Sequence, residues 1–261
     1  MDIIEARINY SIKDKVLFDD ININILEGSF VSIVGSNGSG KSTLLKILSG
    51  SIITNNNVKI DNLQVNKYNI NDIDNKVSFI KSNNEFFSKT VLEEILECKR
   101  LNNAFEVNKV RKLLNEFNLL YLENVSPLDL SYAENQIVAL IKAIVKGSKI
   151  IFLDNAFIRL DIDKRKELFG YLKDYSKKNN ITVVATSNDI YDIKYSDRVL
   201  FIKDNTIYFD GNYNDFITNI DLNKEGFKEP WEVEVSNKLI MYGLVNNMHV
   251  DIMSLVGELC N

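Results

Sequence analysis

The 261-residue sequence predicts an α/β fold, in which a mainly parallel sheet is covered by helices and carries a helical insertion and a small C-terminal helical extension. Three observations lead there. Strand and helix signals alternate before about residue 83 and again after about residue 147, the pattern of a sheet wound with helices. Between those points, Asn83 to Lys146 reads almost entirely as helix. A short apolar run, Phe30–Val34, meets a glycine-rich loop that opens a helix, as a buried parallel strand would.

The elements follow in order. Ile3–Asn9 and Val16–Leu26 read as strands, because Ile21, Ile23 and Ile25 alternate with Asn22 and Asn24. Leu26-Glu27-Gly28-Ser29 is a turn into the apolar strand. A helix starting at Lys41 carries Leu44, Leu45, Ile47 and Leu48. After a polar turn at Asn55–Asn57 comes a strand near Val58–Ile60. The insertion predicts helices over Val91–Arg100, Phe105–Leu119 and Tyr132–Lys146. Alternation resumes with a strand at Lys149–Leu153, a helix at Asp163–Lys177 and a strand at Ile181–Thr186. Arg198–Ile202 and Thr206–Phe209 form a hairpin about Lys203–Asn205. After about Thr218 a separate tail predicts helices at Glu232–Tyr242 and Asp251–Leu259.

Composition narrows the function. A formal net charge of -5 argues against a nucleic-acid binder, whose footprint is basic. Cys98 and Cys260 share no metal spacing and no disulfide framework, so reduced thiols in the cytosol are expected. No apolar run approaches the roughly 18 residues of a membrane span, and Met1 to Tyr10 lacks the apolar stretch of a signal peptide. A soluble protein is expected, with any membrane role arising through a partner.

Gly35-Ser36-Asn37-Gly38-Ser39-Gly40-Lys41-Ser42-Thr43 matches the phosphate-loop pattern G-x-x-x-x-G-K-[ST] in full, between a strand and a helix. Its glycines let backbone N–H groups turn inward around phosphate oxygens, and the helix N-terminus adds its positive end. Lys41 would set a cation on the β and γ phosphates, while the Ser42 hydroxyl would reach Mg²⁺. Ile150–Asp154 is an apolar strand ending in a carboxylate. Alone, Asp154 would be read as a cap or turn residue; beside this loop it is a second Mg²⁺ holder. ATP and Mg²⁺ are the expected ligands of this P-loop NTPase core.

Gly35–Thr43, Leu130-Ser131, Ile150–Asp154, Leu160-Asp161 and Ser187-Asn188-Asp189 come in the order and rough spacing of an ATP-binding-cassette (ABC) ATPase, which the chain resembles over about residues 3–218. The resemblance implies an antiparallel β subdomain beside the parallel core and a helical subdomain over about residues 83–147. It implies that two cassettes pair head to tail. Each ATP then lies between the phosphate loop of one and the signature of the other. It also makes Tyr10 the aromatic that stacks on adenine. The tail, with Glu229-Pro230-Trp231, Val235, Leu239, Gly243 and Val250–Leu259, is similar to the C-terminal extension of energy-coupling-factor (ECF) transporter ATPases. That similarity divides the chain into a nucleotide-binding domain, 1–218, and an extension, 219–261, that is a candidate dimerisation element.

Four positions depart from the family pattern. The glutamate expected after Asp154 is Asn155, and an amide orients water but does not take its proton at neutral pH. The switch histidine falls on Asn188, and the Q-loop glutamine on Ser82. The signature Leu-Ser-Gly-Gly-Gln reads Leu130-Ser131-Tyr132-Ala133-Glu134. Ser131 remains able to donate to a γ-phosphate, whereas Tyr132 and Ala133 crowd its approach and Glu134 adds negative charge. An intact loop beside four altered positions predicts a nucleotide binder with weakened hydrolysis; a divergent but working enzyme is the alternative.

The leading expectation is the ATP-binding subunit of an ECF-type micronutrient importer, cytoplasmic and peripheral on the inner face of the membrane through a transmembrane subunit. Its other partner would be a second ABC ATPase, in a homodimer or, favoured by the altered positions, a heterodimer. Alternatives are a subunit of an exporter of peptides or toxins, and a nucleotide-sensing interaction protein without transport. His249, the only histidine, reads as a surface or packing residue of the tail. Phe86-Phe87, beside the Q-loop position, read either as core or as part of the groove that in this family receives the membrane subunit.

Overall fold

The computed structural model describes residues 1–97 and 104–260. Cys98 and the end of the helix expected over Val91–Arg100 lie outside them.

The central sheet has the order β10-β9-β3-β8-β7-β6. Its strands are β3 (Phe30–Gly35), β6 (Val77–Lys81), β7 (Ile150–Asp154), β8 (Thr182–Thr186), β9 (Arg198–Lys203) and β10 (Thr206–Gly211). All run parallel except β10, which pairs antiparallel with β9 through the expected hairpin. Every residue of β3 is buried, which is why it reads as an unbroken apolar run rather than an alternating one.

A second, antiparallel sheet has the order β2-β1-β4-β5, from β1 (Asp2–Ile12), β2 (Lys15–Leu26), β4 (Asn57–Ile60) and β5 (Leu63–Gln64). Ile21, Ile23 and Ile25 of β2 are buried while Asn22 and Asn24 are exposed, the period-2 pattern of a sheet with one wet face. Between the sheets lies α1 (Lys41–Leu48), burying Leu44, Leu45, Ile47 and Leu48 among residues of both.

The helical segment contains α3 (Val91–Glu97), α4 (Ala104–Glu116) and α5 (Tyr132–Lys146), preceded in the chain by the short α2 (Ile70–Lys76). It is not a separate body. Ile95, Val110, Leu114, Ile137 and Ile141 share one core with Ile80, Leu153 and Val183 of the sheet. Helix α4 stops before the expected Leu119 because Asn118 takes a left-handed conformation, φ 58°, which a short polar side chain tolerates. Helix α6 (Ile162–Asn179) follows β7. The brief α7 (Ile190–Ile193) and α8 (Tyr213–Asn219), like β6, lack a period long enough to stand out in the sequence.

The tail forms α9 (Trp231–Met241) and α10 (Ile252–Leu259). Phe227 and Val233 join Val34, Phe201 and Phe216 in a third core cluster, anchoring the beginning of the tail to the sheet. Met241, Tyr242, Leu244, Met253 and Val256 stay exposed.

Candidate nucleotide site

The phosphate-loop sequence leaves the C-terminal end of β3 and enters α1, so its backbone turns at the helix N-terminus. Two of its glycines are sterically required. A Cβ on Gly35 would lie 2.7 Å from the Ile202 carbonyl oxygen. Gly40, the residue before α1, has φ +97°, and a Cβ there would meet the Phe18 ring at 2.8 Å.

Lys41 is 6% exposed, and its ammonium donates to the carbonyls of Gly35 at 2.7 Å and Ser36 at 2.9 Å. Burial lowers its pKa, and the charge of Asp154 works against that shift. The Ser42 hydroxyl donates to Asp154 Oδ1 at 2.7 Å, and Thr186, opposite Asp154 in the β7–β8 register, donates to the same oxygen at 3.1 Å. A carboxylate and a hydroxyl from separate elements thus meet beside the loop. These hard oxygen donors suit Mg²⁺, which keeps most of its shell for water and phosphate oxygens. Together with Lys41 they would hold a metal–triphosphate pair. Among the described residues, no group of three or more His, Cys, Asp or Glu offers an all-protein metal cage.

A cavity of about 450 Å³ opens over the loop. Asn37, Lys41, Ser42, Thr43 and Asn155 line it, with Ile12, Lys15 and Leu17 from the β1–β2 hairpin forming the opposite wall. Tyr10 is not in that wall. It lies on the same strand face two residues earlier, with its ring tilted against Phe18 at 6.5 Å, and lines a different hollow with Ile53 and Asn56. Ile12 and Leu17, rather than the Tyr10 ring, line the cavity beside the loop.

The altered positions fall in different places. Asn155 has φ 47° and faces the cavity, its backbone N–H donating to Thr186 Oγ1 at 3.0 Å. Asn188 donates from Nδ2 to Asn37 Oδ1 at 2.8 Å, so the switch position touches the phosphate loop directly. The buried Asn188 Oδ1 and the buried Ser39 Oγ of the loop have no hydrogen-bond partner. Ser82 does not line the cavity; its carbonyl accepts from Gln136 Nε2 at 3.3 Å, tying its loop to α5.

Ser131, Tyr132, Ala133 and Glu134 occupy the start of α5, away from the cavity wall. Two expectations about them change. Tyr132 does not crowd the helix end: its hydroxyl reaches back to the Ala156 carbonyl at 2.6 Å, and the Arg159 guanidinium lies over its ring at 5.6 Å. The Ser131 hydroxyl is already committed to Glu134, at 2.6 Å.

Sequence reasoning passed over Thr186, Ile12, Lys15 and Leu17, which carry no motif. It also passed over a buried network behind the switch position. Arg165 of α6 pairs with Asp189 at 2.6 Å and Asp192 at 3.4 Å, and the Ser187 hydroxyl donates to Asp192 at 2.8 Å. The crowding of charged residues around Ser187–Asp192 was the one available hint.

Residues 18–158, just over half of the chain, match the family described as ABC transporter. The chain belongs to that family, whose members bind ATP. Among curated proteins it is 28% identical over 254 residues to the energy-coupling factor transporter ATP-binding protein EcfA1 of Oenococcus oeni, covering 94% of this chain and 92% of the relative. It is 29% identical over 259 residues to EcfA1 of Ligilactobacillus salivarius, covering 96% and 92%. Among solved structures it resembles cbiO1 from Clostridium perfringens, described as part of the ABC transporter complex cbiONQ. The TM-score is 0.76 at 23% identity, over 92% of this chain and 95% of that one, a likeness of fold.

Proposed function

We propose that this chain is an ATP-binding subunit of an ECF-type transporter, coupling ATP-Mg binding to micronutrient uptake, with hydrolysis weakened by the altered positions. The observation that carries the reading is the convergence of Lys41, Ser42 and Asp154 at one end of the parallel sheet, under a cavity that the phosphate loop floors. Lys41 would leave the Gly35 and Ser36 carbonyls for phosphate oxygens, and the loop amides would hold the remainder of the anion. Ile12 and Leu17 would cover the base. The near full-length likeness to two EcfA1 proteins supports the transporter class.

Among the described residues no helix is long and apolar enough to cross a membrane, so attachment to the inner face would run through a transmembrane subunit. A groove of about 720 Å³ between β6 and α5 offers a seat for it, lined by Phe79, Phe86 and Lys142 with Phe87, 86% exposed, at its mouth. The division into 1–218 and 219–261, and pairing with a second cassette different from this one, belong to the same reading.

Titration of a fluorescent ATP analogue tests it. Lys41→Ala should weaken binding at least roughly tenfold, the scale of a lost charge-assisted contact, and Asp154→Asn should abolish the gain in affinity from added Mg²⁺. Equal affinity of wild type and Lys41→Ala would refute the site.

A further inference from the structure

A cavity of about 300 Å³ lies where the tail meets the rest of the chain, apart from the phosphate loop. Tyr191 of α7 and Lys194 and Tyr195 just after it line this hollow, with Tyr213, the first residue of α8. The tail contributes Glu232 of α9 and Asp251, the residue before α10. Both neighbours of Glu232 are anchored. The Trp231 backbone N–H donates to the Tyr191 hydroxyl at 2.9 Å, and Val233 is buried in the third core cluster with Val34 and Phe216. Glu232 Oε2 is itself buried and has no hydrogen-bond partner. A buried carboxylate oxygen left in that state costs free energy, so it marks an unmet demand for a donor or a cation.

The surrounding groups do not meet that demand. Burial, and after it the Glu232 charge, raise the pKa of the Tyr213 phenol, which stays neutral. Both Asp251 carboxylate oxygens accept from Ser254, as the cap of α10. The Lys194 ammonium lies over the Tyr195 ring at 5.6 Å rather than on the unpartnered Glu232 oxygen. That contact shows the chemistry of the hollow, because phenol faces attract cations, and more strongly as water is excluded. A hard metal ion would need several oxygen ligands, and no group of three or more His, Cys, Asp or Glu stands together among the described residues. An anion would meet the Glu232 and Asp251 carboxylates. A compact organic cation suits both the rings and the carboxylate, and the volume suits a small ligand. We propose that this junction binds a small organic cation, an ammonium or quaternary ammonium compound, held by Glu232 and the rings of Tyr191, Tyr195 and Tyr213. The ligand would bridge α7, which directly follows Asn188 and Asp189, to α8 and the tail. The inference stands apart from the nucleotide reading and does not need it.

The test uses the full chain without nucleotide. Trp231, the only tryptophan, adjoins Glu232 and reports on the site through its fluorescence. Choline and butylammonium should each change that emission saturably. Dimethylbutanol, in which carbon replaces the charged nitrogen of choline, should not, and neither should sodium chloride at the same ionic strength. Equilibrium dialysis with labelled choline gives the affinity without relying on the tryptophan. Glu232→Gln should weaken choline binding at least roughly tenfold, the scale of a lost charge-assisted contact. Tyr213→Leu should weaken it several-fold through loss of one ring face, whereas Tyr213→Phe keeps the ring and should stay within about twofold of wild type. Choline should also raise the melting temperature of the wild type and leave that of Glu232→Gln unchanged. Melting curves without ligand establish that each variant is folded; if Glu232→Gln is not, the contrast of Tyr213→Leu with Tyr213→Phe decides. Saturable binding of neither cation by the wild type would overturn the inference, and binding gained only in Lys194→Ala would give the seat to the Lys194 ammonium instead. Equal binding of choline and dimethylbutanol, or equal affinity of wild type and a folded Glu232→Gln, would overturn it as well.

Discussion

Asn155 combines two properties that bear on the proposed weakening of hydrolysis. It faces the cavity, where an amide can orient water, and it holds a left-handed backbone, φ 47°, that asparagine tolerates better than most residues. Asn155→Glu would restore a proton acceptor, and general-base catalysis is worth about 10²–10⁴-fold. The measured gain should be smaller, because Asn188 is bonded to Asn37 and offers no imidazole. The same substitution should cost about 1 kcal/mol of stability, the usual penalty for a side chain in that backbone region. Steady-state phosphate release with Lys41→Ala as the blank measures the first effect, and denaturant unfolding the second. Wild-type turnover of about 1 s⁻¹ or more, within the ordinary enzyme range, would show that the altered positions are compensated.

The switch segment, β8 to α7, is held to α6 by the Arg165 network. Asp192 is buried in it, and that burial pushes its carboxyl up to about 6, although Arg165 and Ser187 favour the charged form. The sign of the consequence follows from linkage. Between the unfolded value near 3.9 and about 6, the folded chain keeps a proton that the unfolded chain has released. Stability from this group is therefore full below the unfolded value and is lost as pH rises through the folded one. The stability difference between wild type and Asp192→Asn should fall across that window by on the order of 3 kcal/mol and then level off. Chemical unfolding of both proteins at a series of pH values measures it. A flat difference would mean that Arg165 already keeps Asp192 ionised throughout.

The whole chain is asymmetric about its nucleotide site. The phosphate loop floors the cavity at the end of β3, Glu134 caps the start of α5 through Ser131, and the tail leaves Met241, Tyr242, Leu244 and Met253 uncovered. Exposed apolar residues between the end of one tail helix and the next suit contact with another protein, and on the reading proposed above that protein is the paired cassette. Met241→Asp with Met253→Asp should leave ATP binding within about twofold and stability within about 0.5 kcal/mol, since both side chains are more than three-quarters exposed. Copurification with the second cassette should drop sharply. Undiminished recovery of that partner would remove the tail from the interface.

Much of this was legible in the residues themselves. The phosphate loop, Asp154 and the strand–helix alternation are local patterns, set by glycine sterics, helix polarity and the periods of buried faces, so they survive being read in one dimension. Ile21, Ile23 and Ile25 announced their strand because one sheet face is wet; the boundaries of α5, from Tyr132 to Lys146, followed from its helical period. Other features depend on residues far apart in the chain. Tertiary structure alone brought Asn188 onto Asn37, Thr186 onto Asp154, and the Ile12–Leu17 hairpin over the loop. It also turned Tyr132 back onto Ala156 and brought Tyr121 to Glu134. A hydrogen bond between distant segments leaves no period in either of them. Which side chains meet is decided by the order and register of the sheets and by packing of the helices on them, and so became visible only in three dimensions.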